Sequence, residues 1–397
     1  MAAKPLDLEL TSRSELAPVS ARYDKLRLLV RLLGEPVGSV ELPNVPAQLR
    51  LSQLRAAFTP ALGPEFWADL VSRSWLGESS EPDPLPISAI VCTRNRPDSL
   101  EGCLAALAVQ HHPRYEVIVV DNAPADDRTR ALSERLGVRY VVEPTPGLDR
   151  ARNRGVAEAR SPLVAFTDDD ARPDPNWLAA LAAGFVADEV EVVTGLVAPA
   201  ELETRAQVLF EDIYGGMGKG FMLKIFSSRG RTLTFRPEIY GVGCNMAFRR
   251  TALEEIGGFD PALDTGTPTG GGGELDVFRR LIERGGAILY RPDAVVRHAH
   301  RRMMPALRRQ LYDNGRGYCA VLCAALLRAR GLDRFRVMRA VWRWITQWHL
   351  RRIARRLLGR ERLPLRLLLA ELGGAVAGPF LYAVSRRRAR RLGEGRA

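Results

Sequence analysis

The stretch VAFTDDDARPDPNW, residues 164–177, places Asp168, Asp169 and Asp170 directly after an apolar run. An apolar run bounded in this way predicts a buried β-strand, and the three carboxylates stand where that strand ends. Neighbouring carboxylates repel one another, and burying them costs free energy unless a cation or hydrogen-bond donors lie opposite. The stretch therefore predicts a strand end that faces a cation or a polar ligand.

Strands and helices alternate on both sides of this stretch. Short runs rich in β-branched residues lie at 87–92, 115–122, 138–143, 162–167 and 190–197, and helical patterns lie at 97–110, 149–160 and 175–185. This order predicts an α/β domain built on an open, mostly parallel sheet with helices on both faces. Such sheets bind ligands beyond the carboxyl ends of their strands, where Asp121 and the three aspartates fall.

Charge divides the 397 residues into unlike parts. Residues 301–397 contain 24 arginines and 5 acidic residues, a formal charge of +19, whereas the first 300 residues carry −7. A strongly basic segment favours an anionic partner, either a membrane or a nucleic acid. We predict a small N-terminal β-rich module with a linker at 1–82, an α/β domain at 83–303 and a helical, arginine-rich region at 304–397.

The N-terminal region and the cysteines supply no catalytic motif. Residues 25–42 alternate apolar and polar side chains around Gly34, which predicts a hairpin, and the Pro- and acid-rich residues 78–86 predict a linker. The five cysteines form no C-x-x-C pair, which argues against a zinc site and a disulfide framework. Residues 1–10 lack an apolar core of signal-peptide length, so we expect a cytoplasmic protein.

Five segments, taken together and in this order, resemble family 2 glycosyltransferases. They are ISAIVCTRNRPDSLEGCLAAL (87–107), EVIVVDN (116–122), PGLDRARNRGVAEA (146–159), VAFTDDD (164–170) and GVGCNMAFRRTALEEIGGFD (241–260). The resemblance implies a GT-A fold. It also implies transfer of a sugar from a nucleotide-diphosphate donor to an acceptor hydroxyl, with inversion and with a divalent metal, Mg²⁺ or Mn²⁺. The motifs do not specify the acceptor.

The resemblance assigns roles to the three aspartates. In the family's DxD pattern the last aspartate binds the metal and the first faces the donor ribose. This implies a metal ligand at Asp170 and a substrate contact at Asp168, with Asp169 beside it in the donor site. Mg²⁺ and Mn²⁺ prefer oxygen ligands, so a metal and a diphosphate would offset the repulsion among the carboxylates. The alternative is an acidic loop that caps the helix at 175–185.

The resemblance implies further donor contacts at the same edge. It assigns Asp121 to hydrogen bonds with the nucleoside, with Thr93 and Asn95 on the neighbouring loop. A turn formed by Asp-Asn explains Asp121 almost as well. Arg152 and Asn153 lie on a helix that opens at this edge, where a cation can approach the diphosphate. An ordinary charge on a helix surface is the alternative for Arg152.

The segment TPTGGGGELDVFRRL, residues 267–281, is where the family carries Glu-Asp before a helix, and there the Asp deprotonates the acceptor. This chain departs from that pattern, because Gly273 and Glu274 occupy the two positions. The resemblance implies that Glu274 is the general base, with Asp276 as the second catalytic candidate. A carboxylate that favours a helix start is the alternative. The departure also leaves open an impaired module that binds a sugar nucleotide without transferring the sugar.

The segment VVRHAHRR, residues 295–302, contains two histidines. His298 and His300 point in opposite directions if the segment is extended, so at most one of them binds the metal. The resemblance favours His298, because a histidine after the last strand can complete the metal shell in GT-A enzymes.

The C-terminal region lies outside the resemblance. Residues 335–358 place apolar side chains at helical spacing with arginines mostly opposite, which predicts an amphipathic helix on an anionic membrane surface. A helix packed on the domain is the alternative. The aromatic residues lie on the apolar face rather than between arginines, so we expect no nucleic acid partner. Residues 363–385 contain Arg366, Glu371 and Pro379, which predicts a hairpin rather than a spanning helix.

Overall fold

The computed structural model describes residues 2–11, 23–43, 84–227, 236–360 and 362–392. Most of the predicted linker, residues 78–83, lies outside these ranges. The strands are β1 (Ala3–Glu9), β2 (Lys25–Leu32), β3 (Glu35–Pro43), β4 (Ile87–Thr93), β5 (Tyr115–Asn122), β6 (Arg139–Glu143), β7 (Leu163–Asp168), β8 (Ala171–Pro173), β9 (Val190–Pro199), β10 (Lys224–Ser227), β11 (Met246–Arg249) and β12 (Ala287–His298).

The helices follow the same chain order. They are α1 (Pro97–Leu107), α2 (Arg128–Arg135), α3 (Leu148–Glu158), α4 (Trp177–Ala183), α5 (Arg205–Val208), α6 (Arg250–Glu255), α7 (Gly273–Arg284), α8 (Met304–Arg328), α9 (Leu332–Arg343), α10 (Arg351–Leu357) and α11 (Leu365–Arg391). Two π-helical segments, Leu209–Tyr214 and Trp344–Leu350, continue α5 and α9. The strands and helices expected between residues 87 and 197 are therefore confirmed.

The central sheet has nine strands within the described residues, in the order β10-β12-β9-β11-β7-β4-β5-β6, with β8 paired to β12. Strands β7, β4, β5 and β6 run parallel, and β11 runs antiparallel between β7 and β9. The parallel part brings Thr93 beside Asp121 and Cys92 beside Asp168. The predicted α/β sheet is confirmed, and its parallel strands bring Asp121 and Asp168 to the same edge.

Strand β12 brings the other end of the chain to this edge. It lies parallel to β9, and its last residue, His298, pairs with Ala171 of β8 directly after the three aspartates. This pairing explains how two segments far apart in sequence share one site.

Apolar side chains cover both faces of the sheet. One layer includes Trp177 of α4 and Leu100 of α1, and the other includes Val156 of α3 and Phe278 of α7. Because both faces are covered, the strands can be apolar throughout, and their polar residues are confined to the strand ends.

The small N-terminal sheet has the order β1-β2-β3. Strands β2 and β3 form the predicted hairpin, which turns at Leu33 and Gly34, both with positive φ. Arg31 of this module forms an ion pair with Asp174 at 2.8 Å and so ties the module to the segment that follows the aspartates.

The C-terminal region is helical, as predicted, but residues 363–385 do not form a hairpin. They belong to one helix, α11, which runs through Pro379 and packs along α8. An added Cβ on Gly374 would lie 1.9 Å from the carbonyl oxygen of Tyr312 in α8. The glycines therefore permit a close approach of two helices rather than a turn, and the hairpin prediction was wrong. By length and composition alone α11 could cross a membrane, although part of its surface is buried against the protein.

Candidate active site

The two outer aspartates of the run and His298 meet at the end of β7. Nε2 of His298 lies 3.1 Å from Oδ1 of Asp170 and 3.5 Å from Oδ2 of Asp168. Burial opposes protonation of His298, but the two carboxylates outweigh it and raise its pKa to about 10. Burial likewise opposes ionisation of Asp170, yet His298 and Arg96 hold the pKa of that carboxyl well below its usual range. A protonated His298 thus offsets part of the negative charge of the two carboxylates, and Arg96 offsets a further part at Asp170.

The middle aspartate, Asp169, points to a different set of partners. Its Oδ2 accepts a hydrogen bond from Oγ1 of Thr93 at 2.8 Å, and its Oδ1 accepts one from Arg96 at 2.7 Å. Burial raises the pKa of Asp169 to about 6, against the opposing effect of Arg96. Arg96 also donates to Asp170 at 2.9 Å. Asp169 and Thr93 line the cleft, but their side chains are engaged with each other and with Arg96 in fixing the loop that carries Asp168 and Asp170.

A cation could be held by part of this group. The nearest potential ligand atoms of Asp168, Cys244 and His298 all lie within 4.8 Å of one another. Carboxylate oxygens are the preferred ligands of Mg²⁺ and Mn²⁺, whereas a thiolate suits softer ions. Burial raises the pKa of the Cys244 thiol well above its usual value, which further disfavours its thiolate. The donor set that fits Mg²⁺ or Mn²⁺ is therefore Asp168, Asp170 and His298.

A buried arginine connects α3 to the start of α7. Nη1 of Arg152 lies 3.0 Å from Oδ1 of Asp149 and 3.8 Å from Oε2 of Glu274. Arg152 is only 5% exposed, so it is not an ordinary surface charge. Burial and Asp264 raise the pKa of Asp149 well above its usual value, although Arg152 opposes this effect. Arg152 and Glu274 both line the cleft.

The two catalytic candidates on α7 have different surroundings. Glu274 retains a partly exposed side chain in the cleft. Asp276 is fully buried and forms ion pairs of 2.7–3.0 Å with Arg279, Arg280 and Arg328. These arginines outweigh burial and hold the pKa of Asp276 well below its usual range. The structure does not place Asp276 in the cleft lining, so its position favours a structural role over catalysis.

Three predicted donor contacts are not among the cleft-lining residues. Asp121 is fully buried, and its Oδ2 accepts a hydrogen bond from the Tyr140 hydroxyl at 3.0 Å. Asn95 accepts one from the backbone of Ala125, and Asn153 pairs in both directions with the backbone of Phe259. The neighbour of Asp121, Asn122, does line the cleft.

The cleft lined by Asp168, Asp170, His298, Arg152 and Glu274 has a volume of about 1170 Å³. Its far wall comes from the C-terminal helices. Helix α8 packs on the glycine-rich loop before α7, where an added Cβ on Gly272 would lie 3.0 Å from the carbonyl oxygen of Gly317. Beyond α8, the wall includes Arg339 and Arg343 of α9 and Trp344 of the π-helical segment. The predicted region 304–397 therefore contributes to the same cleft as the aspartates.

His300, the second histidine of this segment, also lines the cleft but has other partners. Its Nε2 contacts Oε2 of Glu211 at 2.9 Å, and its ring packs edge-on against Phe210. The prediction that at most one of the two histidines binds a metal stays a prediction.

Sequence reasoning missed Arg96, Asp149 and Cys244. Asp149 could have been found, because it precedes Arg152 by three residues, the spacing at which charged helix residues pair. Arg96 and Cys244 carried no such local signal, since their partners come from other strands.

Comparisons with known proteins bear on the family and on the fold. Residues 88–257 match the model described as Glycosyl transferase family 2. The chain is 18% identical to a mannosyltransferase from Pyrobaculum calidifontis, solved in complex with GDP-Man and Mn²⁺, with a TM-score of 0.51 over 82% of this chain and 97% of that one. The predicted GT-A fold is therefore confirmed, and the match over residues 88–257 supports the resemblance to family 2 glycosyltransferases.

Curated relatives are also glycosyltransferases. The chain is 25% identical over 228 residues to the pre-mycofactocin glycosyltransferase of Mycobacterium tuberculosis, covering 56% of this chain and 44% of that protein. It is 24% identical over 243 residues to glycosyltransferase AglE of Haloferax volcanii, covering 59% and 73%. The match thus spans less than half of the mycobacterial relative.

The structure also bears on the cysteines. All five cysteines of this chain are free thiols, so none of them forms a disulfide.

Proposed function

We propose that this protein transfers a sugar from a nucleotide-diphosphate donor to an acceptor hydroxyl with inversion, in a metal-dependent reaction. The observation that carries the proposal is the meeting of Asp168, Asp170 and His298 in the cleft that also contains Glu274. The family match and the fold support a transferase of this class.

Asp170 and His298 would hold Mg²⁺ or Mn²⁺, with Asp168 beside them toward the donor. When bound, the metal stabilises the negative charge that develops on the departing nucleoside diphosphate. Arg152, buried and positively charged, lies where it can face the same diphosphate.

Glu274 is the general base of the proposed reaction. It lies in the cleft with a partly exposed side chain, and its Oε2 is 3.8 Å from Nη1 of Arg152. The acceptor hydroxyl loses its proton to Glu274 as its oxygen attacks the anomeric carbon, and the bond to the diphosphate breaks on the opposite face. An attack from the opposite face inverts that carbon.

The alternative is a module that binds a sugar nucleotide without transferring the sugar. A thermal-shift screen of nucleotide sugars with Mn²⁺ would identify the donor, because a ligand that binds the folded state raises the melting temperature. Turnover of that donor, even slow hydrolysis by water, would support the transferase. Binding without any release of nucleoside diphosphate would support the module, and no stabilisation by any nucleotide sugar would contradict both.

We also propose that the protein associates peripherally with the inner, cytoplasmic face of a membrane. Along α9, Phe335, Met338 and Trp342 are 74%, 52% and 64% exposed, which does not support the alternative that this apolar face packs on the domain. The +19 charge of residues 301–397 complements an anionic lipid surface.

A further inference from the structure

We propose that the acceptor carries a phosphate group, which Arg339 and Arg343 of α9 bind at the far wall of the cleft. This inference rests on the proposed transferase function and specifies the chemical class of its second substrate. The phosphate would belong either to a soluble phosphorylated compound or to a lipid.

The position of the two arginines supports an acceptor site. Arg339 and Arg343 are four residues apart and therefore lie on one face of α9. Both line the cleft that contains Glu274, the proposed base. Asp168, Asp170 and His298 come from the strand ends, whereas Arg339 and Arg343 come from the C-terminal helices that form the far wall of the cleft.

The arginines that line the cleft differ in their ion-pair partners. Arg96 and Arg152, on the donor side, are both paired with carboxylates. Within the described part of the chain, no carboxylate forms an ion pair with Arg339 or Arg343. Two unpaired guanidinium groups on one face offer several donors in the planar geometry that suits a phosphate.

Aromatic rings beside the arginines supply a surface for the rest of the acceptor. Trp344 stacks on Tyr318 of α8 with ring centroids 4.7 Å apart and an interplanar angle of 28°. Both rings line the cleft. Such a surface suits either a sugar ring or an apolar chain. The exposed apolar face of α9, formed by Phe335, Met338 and Trp342, allows a lipid to reach it.

Calorimetry on the full chain would test the inference. The donor site is first saturated with Mn²⁺ and the nucleoside diphosphate, UDP or GDP, that binds more tightly. Glycerol 3-phosphate, dihexanoyl phosphatidic acid and dihexanoylglycerol then serve as the soluble, lipid-borne and phosphate-free probes. We expect the phosphate probes to bind, and the double variant Arg339→Ala/Arg343→Ala to weaken their binding by about tenfold or more.

The matched control is Arg351→Ala/Arg355→Ala, which removes two exposed arginines of α10 that do not line the cleft. It should bind both phosphate probes as the parent does, and nucleoside diphosphate binding should be unchanged in both double variants. If both phosphate probes bind comparably, the acceptor is assigned to the soluble phosphorylated compounds. If only phosphatidic acid binds, the acceptor is assigned to the lipids. The inference is overturned if the parent binds neither phosphate probe, if dihexanoylglycerol binds as well as phosphatidic acid, or if the two double variants behave alike. A parent that fails to bind any nucleoside diphosphate instead refutes the proposed function, and the inference falls with it.

Discussion

An added Cβ on Gly273 would lie 1.8 Å from Oδ2 of Asp149, so the carboxylate of Asp149 fills the space that a side chain at position 273 would need. The resemblance places a glutamate at this position in other family members. Here a carboxylate from α3 takes up that space and pairs with Arg152, which in turn lies near Glu274. This chain therefore lacks the family's glutamate at position 273, but the carboxylate of Asp149 lies in the space beside that position.

Gly273→Ala should lower both stability and turnover. Asp149 must move to admit the methyl group, and overpacking of this kind costs about 1–3 kcal/mol. Thermal unfolding and donor turnover would measure the two effects. Gly373→Ala is the control, since an added Cβ there would meet only a ring atom of Tyr312 at 3.9 Å. A Gly273→Ala variant as stable as the parent would contradict the steric argument.

Asp170→Asn should abolish most metal-dependent nucleotide binding while the fold is retained. The substitution removes a charged oxygen from the proposed metal site and leaves the shape of the side chain nearly unchanged. Calorimetric titration of nucleoside diphosphate with and without Mn²⁺ would show a loss of about 100-fold only in the presence of the metal. Asp188→Asn, at a fully exposed carboxylate, should bind as the parent does. Undiminished Mn²⁺-dependent binding to Asp170→Asn would rule out Asp170 as a metal ligand.

Glu274→Gln should lower kcat by about 10²–10⁴-fold with donor binding nearly unchanged, because the carboxylate is needed only as the acceptor loses its proton. Glu274→Asp should keep partial activity, since it restores the residue type usual in the family with a shorter reach. Initial rates at saturating donor, combined with donor affinity, would separate these effects.

Asp276→Asn is the comparison for that experiment. Its side chain is buried among three arginines, and breaking such a cluster costs about 3–5 kcal/mol, so we expect a lower melting temperature above all. A folded Asp276→Asn enzyme without activity, next to an active Glu274→Gln enzyme, would move the base to Asp276.

Replacing Phe335, Met338 and Trp342 together by serine should reduce sedimentation with anionic liposomes. These side chains are exposed, so the change removes apolar contacts with lipid without opening the core. Donor binding should remain as in the parent. A parent protein that ignores anionic liposomes at low salt would refute the membrane association.

The sequence by itself determined the order of the α/β elements and the edge at which the site lies. Local patterns sufficed for this, because a buried parallel strand is an uninterrupted apolar run and its ligand-facing residues follow its end. Asp168 and Asp170 could be singled out for the same reason. Glu274 and His298 were also singled out, but only through the resemblance to the family.

The tertiary structure decided which of these side chains face the cleft. The pairing of β12 with β8 brings His298 to Asp170, and Arg96 turns Asp169 away from the other two aspartates. Asp276, two residues from Glu274, is directed into an arginine cluster that includes Arg328 of a helix distant in sequence. Such contacts join segments far apart in the chain, and a local pattern cannot specify them.

The same reason explains the errors at the C-terminus. Charges and a proline between 363 and 385 favoured a break, but the glycines of this segment meet the backbone of α8, and helix packing keeps α11 continuous. The helical spacing of the arginines in α9 likewise does not reveal a binding site, because any solvated helix can show the same spacing. Only the position of α9 over the cleft shows that Arg339 and Arg343 line it, because a binding site depends on what lies opposite a side chain in space.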